Sequence, residues 1–118
     1  MKAISYQLFI EVTTDLTLEV GALGMLQFPA GHYVYTGSAK NNPEARIQRH
    51  LSKTKRLRWH IDYLLIRPEV HIYRVEQSSL PECELNQQTP GRIVQSGFGA
   101  SDCRAGCKAH LKYIDSSM

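Results

Sequence analysis

The chain carries the residue types that hydrolysis of a phosphate ester requires, and two of them lie one helical turn apart. Arg46 presents a fork of N–H donors that matches the geometry of phosphate oxygens. His50, four residues later, can supply or relay a proton near neutral pH. Tyr6 and Tyr35 can hydrogen-bond a water molecule or the phosphate. A phenol acts as a base only where its pKa falls well below about 10, which a neighbouring metal and arginine can bring about.

A metal ligand is also expected, because charge accumulates on oxygen atoms during phosphodiester hydrolysis and a divalent metal ion usually stabilises that charge. Glu82 and Glu84 both offer the hard oxygen ligands that Mg²⁺ and Mn²⁺ prefer. Positions 82 and 84 point in different directions on a helix, so only one of these carboxylates can face Arg46.

Each of these residues also has an ordinary structural explanation. A tyrosine on a half-buried strand usually belongs to the core, with its hydroxyl at the edge. An arginine and a histidine four positions apart on a helix are usually solvated, and a glutamate at a helix start interacts with the helix dipole. The hypothesis of a catalytic site therefore depends on the whole set of residues.

Basic residues are concentrated in one short stretch, although the formal net charge is only +3. Half of the 14 lysines and arginines fall between positions 40 and 58, with Glu44 as the one acid among them. The seven are Lys40, Arg46, Arg49, Lys53, Lys55, Arg56 and Arg58. Such a local concentration of positive charge suits a nucleic acid, and a solvated helix face is the alternative.

The pattern of apolar residues predicts the strands that position these side chains. Residues 4–12 alternate with period two, and residues 32–39 and 70–76 are also rich in strand-forming residues. An inserted hairpin is expected at roughly 13–28. Tyr33 and Tyr35 share one face of their strand, and Tyr6 joins them if its strand is an antiparallel neighbour.

Three helices are predicted between and after the strands. Asn42 caps a helix over 43–53, with Pro43 at its first position. A second helix is expected over 57–65 and a third after Pro81. Apolar side chains are expected to face the core at Ile47, Leu51, Leu57, Ile61, Leu64 and Leu65. The segment CKAHLKYI forms either a strand or a helical turn. The order of elements predicts an α+β domain, with a small antiparallel sheet of three main strands and the inserted hairpin, flanked by helices.

Length and composition limit the class of protein. The 118 residues suit one domain spanning 1–118, and 42% hydrophobic and 21% charged residues indicate a globular chain. No stretch reaches the roughly 18 apolar residues of a membrane helix, and the N-terminus reads as a strand, not a signal peptide. Three cysteines and no export signal predict reduced thiols in the cytoplasm.

Several motifs together resemble those of a nuclease family. The chain contains GHYVYTGSA, RIQRH, RWHIDYLL, ECEL and GFGASDC. YVYTGSA followed by a helix with ARIQRH resembles the second signature and first helix of the GIY-YIG nucleases. The full combination is similar to their small bacterial and archaeal Uri branch, and the likeness covers nearly the whole chain. It implies a metal-dependent endonuclease that hydrolyses phosphodiester bonds in nucleic acid, DNA more than RNA.

The resemblance also assigns roles to residues. The tyrosines of the two signatures fall on Tyr6 and Tyr35, and one of them helps to activate water. The helical arginine falls on Arg46 and steadies the phosphate, and the histidine after it falls on His50. The metal-binding glutamate falls on Glu82, since an aliphatic residue follows three positions later, and it holds one Mg²⁺ or Mn²⁺.

Further members of the nucleic-acid-binding set follow from the same resemblance and from the basic stretch. Gly37 lets the backbone turn sharply beside the site. The basic side chains at positions 40–58 hold the strand, and the expected contacts are Lys40, Arg49, Lys53, Lys55, Arg56 and Arg58.

The chain departs from the family pattern at two positions. Ser5 stands where the first signature has glycine, and Thr36 replaces the isoleucine of the second. Both tyrosines are retained, so the chemistry is expected to remain. Gly31-His32-Tyr33 also resembles a first signature, but it lies too close to Tyr35 to be on another strand.

Other residues leave alternatives open. Cys103, Cys107 and His110 resemble part of a zinc site, in which Cys83 is the fourth ligand only if the third helix lies against this tail. Buried or loop thiols are the favoured interpretation of these cysteines. Trp59 and Tyr63 can stack on bases, although core packing is the more ordinary role, and His60 with Asp62 can form a surface pair.

Three functions remain in view at this point. They are a nuclease, a non-catalytic nucleic-acid-binding module on the same fold, and a zinc-stabilised interaction domain. A partner protein or a homo-oligomer is also compatible with so short a chain.

Overall fold

Six antiparallel strands, in a four-stranded and a two-stranded sheet, and three short α-helices make up most of the described part of the chain. The computed structural model describes residues 3–38, 42–54, 56–57, 59–93 and 109–115. The strands are β1 Ser5–Val12, β2 Leu16–Glu19, β3 Met25–Phe28, β4 Gly31–Ser38, β5 Val70–Ser78 and β6 Leu111–Asp115. The helices are α1 Pro43–Leu51, α2 His60–Leu65 and α3 Glu82–Gln88. The predicted α+β class is confirmed.

The main sheet has the strand order β5-β1-β4-β6, and β2 pairs with β3 in a separate two-stranded sheet. The strands pair antiparallel throughout. The inserted hairpin is therefore confirmed as β2 and β3. The expectation of three main strands is wrong, because the C-terminal segment forms β6 and extends the sheet beyond β4. Of the two conformations left open for that segment, the strand is the one observed.

The alternation along β1 decides which face of the sheet is buried in the core. Tyr6, Leu8, Ile10 and Val12 are almost fully buried on one face, together with Tyr33 and Tyr35 of β4. The hairpin and α2 cover this face, with buried side chains at Leu16, Val20, Phe28, Ile61, Leu64 and Leu65. The predicted common face of Tyr6, Tyr33 and Tyr35 is confirmed.

The first helix begins as predicted but is rotated relative to the expected core face. Asn42 accepts a hydrogen bond of 3.1 Å from the backbone N–H of Ala45, which caps α1. Ile47 and His50 are buried, whereas Leu51 is 44% exposed. The expected burial of Leu51 is wrong, because positions 47 and 50 share the inward face and turn position 51 toward solvent.

The second helix is shorter than predicted. The carboxylate of Asp62 accepts a 2.9 Å hydrogen bond from the backbone N–H of Trp59, so the helix begins at His60. Leu57 lies before it and is 39% exposed, which contradicts its expected place in the core. No helix in the described part of the chain is long and apolar enough to cross a membrane.

Candidate functional site

The pairing of β1 with β4 places Tyr6 directly opposite Gly37. The ring of Tyr6 lies over Gly37, and a Cβ atom at that position would collide with the ring and its hydroxyl. Gly37 lies within β4 and its φ is outside the left-handed region. The expectation of a sharp turn at Gly37 is therefore wrong. Glycine is required there for space, because it lets the phenol lie flat against the neighbouring strand.

Tyr6 and His50 form a short hydrogen bond beneath the sheet surface. The hydroxyl of Tyr6 lies 2.6 Å from Nε2 of His50, and each side chain is 1% exposed. Tyr35 and Trp59 also contact the imidazole, with ring centroids 6.0 and 5.8 Å from that of His50. The aromatic rings exclude water, so this bond is stronger than it would be at a surface.

Burial makes both signature tyrosines harder to ionise. The pKa of Tyr6 is raised mainly because its phenolate would lose hydration, and the negative charge of Glu82 raises it further. The positive charge of Arg46 and its hydrogen bond to the phenol act in the opposite direction. The pKa of Tyr35 is raised for the same first reason, with added repulsion from Tyr6 and Glu82. In this structure neither phenol is poised as a phenolate base.

Arg46 lies between the phenol and the indole of the site. Its Nη1 donates a 2.6 Å hydrogen bond to the carbonyl oxygen of Ser38 at the end of β4. Its guanidinium carbon lies 4.7 Å above the centre of the Trp59 ring. These contacts hold the planar fork in one orientation beside Tyr6, which is the arrangement that phosphate recognition requires.

Glu82 stands at the start of α3, on the same side of the molecule as the two phenols. Its charge acts on Tyr6 and Tyr35, and its side chain is 31% exposed. Its Oε2 lies 3.2 Å from Nδ1 of His110. Glu84 is exposed on the next part of the helix. Glu82 thus acts electrostatically on both phenols and remains partly accessible to solvent.

Arg49 is held within the protein, although it was expected to contact nucleic acid. Its guanidinium donates hydrogen bonds of 2.9 and 3.0 Å to the two oxygens of Asp62, and a third of 2.8 Å to the carbonyl oxygen of Arg56. It also lies 4.4 Å above the ring of Trp59. The expected surface pair of His60 and Asp62 is wrong, because Asp62 is fully buried against Arg49.

The remaining basic residues divide into three groups. Lys53 donates from Nζ to the carbonyl oxygens of Leu65, Arg67 and Val70, at 2.6–2.8 Å. Its pKa is lowered by partial burial, and the negative charge of Glu69 opposes that shift. Arg56 is exposed. The other expected contacts, Lys40, Lys55 and Arg58, lie outside the described residues.

The structure adds three residues that the sequence did not assign to the site. Asp62 fixes Arg49, Trp59 stacks against both arginines of α1, and His110 contacts Glu82. The alternation in CKAHLKYI was the available signal for His110, since a strand there pairs with the strand of Tyr35. No local pattern indicates that Asp62 is buried, because the partner that compensates its charge is 13 residues away.

One pair of residues bears on the zinc hypothesis. Sγ of Cys83 in α3 lies 3.8 Å from Nε2 of His110. Cys103 and Cys107 lie outside the described residues. Within the described ranges, no cluster of three or more His, Cys, Asp or Glu side chains could hold a metal ion. A Mg²⁺ ion bound through one or two carboxylates usually keeps several water ligands, so Glu82 is compatible with such a site.

Comparison with other proteins places the chain in one family. No curated protein and no solved structure matches it. A family model described as a domain of unknown function, DUF123, matches residues 5–118. Because this match extends from the first residue of β1 to the last residue of the chain, the protein belongs to the DUF123 family.

Proposed function

We propose that the protein is a metal-dependent endonuclease that hydrolyses phosphodiester bonds in nucleic acid, DNA more than RNA. The observation that carries the proposal is the buried hydrogen bond between Tyr6 and His50, with Arg46 and Glu82 acting electrostatically on the same phenol. A proton-transfer pair beside a cation and a carboxylate is the minimum needed for metal-assisted hydrolysis of a phosphate ester.

Tyr6 acts in this mechanism as a relay, and His50 is the base. Because burial raises the pKa of Tyr6, a free phenolate is not available to attack or deprotonate water. A neutral phenol can accept a proton from water while it passes its own proton to Nε2 of His50, 2.6 Å away. No phenolate forms in such a concerted transfer, and the proton ends on the imidazole.

Tyr35 supports this pair from its place on β4. Its ring meets the imidazole of His50 edge-on, with an interplanar angle of 69°. The raised pKa of Tyr35 disfavours its use as a second base. Its contribution is to hold the imidazole of His50 in line with Tyr6.

Arg46 binds the scissile phosphate. A guanidinium has five N–H donors, and the contacts with the carbonyl oxygen of Ser38 and with Tyr6 use only part of that capacity. Stacking on Trp59 fixes the orientation of the guanidinium. The side chain of Arg46 therefore loses rotational freedom before the substrate binds.

Glu82 is the proposed ligand of one Mg²⁺ or Mn²⁺. Its position fits a hard cation, since its carboxylate is partly exposed and its charge acts on Tyr6. When bound, the metal supplies Lewis-acid stabilisation of charge on the phosphate oxygens.

A cytoplasmic location, expected from the odd number of cysteines, is part of the same proposal.

The test is cleavage of end-labelled single-stranded and duplex DNA, and of RNA, with Mg²⁺ or Mn²⁺. We expect Glu82→Gln, Arg46→Ala and Tyr6→Phe each to lower the cleavage rate by roughly 10²-fold or more. The matched control is Glu84→Gln, an exposed carboxylate on the same helix, which should cleave like the wild type. Absence of wild-type cleavage with every metal, or full activity in Glu82→Gln, would remove the catalytic proposal.

One observation favours the alternative of a non-catalytic nucleic-acid-binding module. Tyr6 and Tyr35 are only 1% and 7% exposed, so their side chains offer a substrate little direct contact in this structure. If the protein binds DNA with the steep salt dependence of phosphate contacts and never cleaves it, the binding module is the correct function.

A further inference from the structure

His110 lies directly beneath the proposed metal ligand. Its Nδ1 is 3.2 Å from Oε2 of Glu82, and the imidazole is 1% exposed. This is an ion-pair distance, and hydrogen bonds at catalytic sites often tighten only when the site is loaded. Oε2 is the carboxylate oxygen that lies beside the imidazole.

The backbone around His110 is fixed to both neighbouring elements. The carbonyl oxygen of His110 accepts a 2.9 Å hydrogen bond from the N–H of Thr36 in β4. Asn86, buried in α3, donates a 2.9 Å hydrogen bond to the carbonyl oxygen of Ala109. Lys112 donates from Nζ to the carbonyl oxygens of Asn86 and Thr89. These bonds join α3 to the start of β6, so Glu82 and His110 cannot easily separate.

The second nitrogen of the same ring faces a thiol. Sγ of Cys83 lies 3.8 Å from Nε2 of His110. The thiol sulfur can be a weak donor or a weak acceptor, so this contact is compatible with a ring whose Nε2 accepts and whose proton is on Nδ1. That tautomer presents an N–H to Glu82, because Nδ1 is the atom nearest Oε2.

We propose that His110 is a positioning residue, which orients the carboxylate of Glu82 so that its other oxygen can bind a divalent cation. The inference rests on the proposed function, since it concerns the metal ligand of that site. An imidazole N–H fixed on one oxygen removes the rotational freedom of an exposed glutamate. Such outer partners are what orient carboxylate ligands in metal sites.

The experiment compares two amide variants of the full chain. The amide nitrogen of His110→Asn occupies the place of Nδ1 and can still donate to Glu82. In His110→Gln the amide reaches the place of Nε2 and leaves Oε2 without that donor. Mn²⁺ binding is measured from the electron paramagnetic resonance signal of the free ion. We expect His110→Gln to weaken Mn²⁺ binding by about 10- to 100-fold, and His110→Asn to stay near the wild type.

The controls separate failure of this inference from failure of the proposed function. Glu82→Gln should abolish Mn²⁺ binding, and Glu84→Gln should leave it unchanged. If Glu82→Gln abolishes binding and both His110 variants bind like the wild type, the positioning role is wrong and the metal site stands. If the wild type binds no Mn²⁺, both proposals fail at Glu82.

A measurement on the wild type keeps the inference testable if a His110 variant does not fold. Nitrogen-15 spectra of histidine-labelled protein should show His110 in the tautomer protonated at Nδ1. Glu82→Gln should shift that Nδ1 resonance, because the carboxylate is its acceptor. A ring protonated only at Nε2, or an Nδ1 resonance that Glu82→Gln leaves unchanged, would overturn the proposal.

Discussion

Tyr6 and His50 show how the setting of a residue changes the role that its type suggests. A phenol beside an arginine is expected to have a lowered pKa and to act as a base, because the positive charge stabilises the phenolate. Here burial outweighs Arg46, and the pKa of Tyr6 is raised. The short bond to His50 gives the proton a destination without phenolate formation. The residues are those that the sequence singled out, but the base in the proposed mechanism is the imidazole.

The buried phenols predict a loss of stability at alkaline pH. Tyr6, Tyr33 and Tyr35 have raised pKa values, chiefly because burial disfavours their phenolates. In the unfolded chain a tyrosine ionises near pH 10. The contribution of these tyrosines to the free energy of unfolding is therefore complete below about pH 10. It declines above that pH, because the unfolded state then loses protons that the folded state keeps.

This decline can be measured by denaturant unfolding between about pH 8 and about pH 11. Tyr35→Phe removes one of the three phenols, so its stability should fall less steeply with pH than that of the wild type. Appearance of tyrosinate absorbance from all six tyrosines near pH 10 in a still folded protein would contradict the prediction.

Gly37→Ala tests the close approach of Tyr6 to β4. The added methyl group would collide with the ring and hydroxyl of Tyr6, so the ring must move away from His50. We expect a loss of about 1–3 kcal/mol in the free energy of unfolding, typical of overpacking, and reduced nuclease activity.

A double-mutant cycle identifies the cause of that loss. In a Tyr6→Ala background the obstacle is gone, so Gly37→Ala should destabilise the protein much less than it does in the wild type. Equal losses in the two backgrounds would show that Gly37 is required by its own backbone and not by the phenol.

At the scale of elements, the sequence was most informative where periodicity is strong. Five strands and three helices could be located from alternation, caps and prolines, because these signals are local. The phase of α1 could not, since Leu51 and His50 are adjacent and only tertiary packing decides that the histidine points inward. The burial of Asp62 could not be predicted from the sequence for the same reason, because it depends on Arg49 in another helix.

The ion pair between Arg49 and Asp62 should be the strongest interaction between α1 and α2. Asp62 is fully buried, whereas the side chain of Arg49 is 27% exposed. Breaking a fully buried pair costs about 3–5 kcal/mol, and the access of water to Arg49 reduces this to about 2 kcal/mol for Arg49→Ala. Arg49→Lys should recover only part of the loss, because lysine lacks the fork that bonds both oxygens of Asp62.

The measurement is the free energy of unfolding from denaturant titration. Arg74, paired with Glu76 where both side chains are exposed, provides the matched control. Arg74→Ala should cost less than about 1 kcal/mol. If Arg49→Ala were no more damaging than Arg74→Ala, the contact with Asp62 would not be what joins the two helices.

At the scale of the whole molecule, the basic residues between positions 40 and 58 have two roles that the sequence could not separate. Some of them make contacts within the protein, and others are accessible to a ligand. Their charges suggest a continuous surface for a polyanion. The structure instead pairs Arg49 with the buried Asp62 and directs the ammonium of Lys53 onto three backbone carbonyls. Arg56 is exposed, and Arg46 faces the candidate site. The described part of the stretch therefore offers nucleic acid fewer positive charges than a count of residues implies.

Lys53 and Arg56 give a matched test of this division, because both are basic residues in the segment between α1 and α2. Each phosphate contact contributes about 0.9 to the slope of log affinity against log salt concentration for duplex DNA. Arg56→Gln should reduce that slope by about 1 and leave stability unchanged. Lys53→Gln should leave the slope unchanged and lower the free energy of unfolding, since the carbonyl oxygens of Leu65, Arg67 and Val70 lose a charged donor. A lower slope for Lys53→Gln without loss of stability would return Lys53 to the DNA-binding surface.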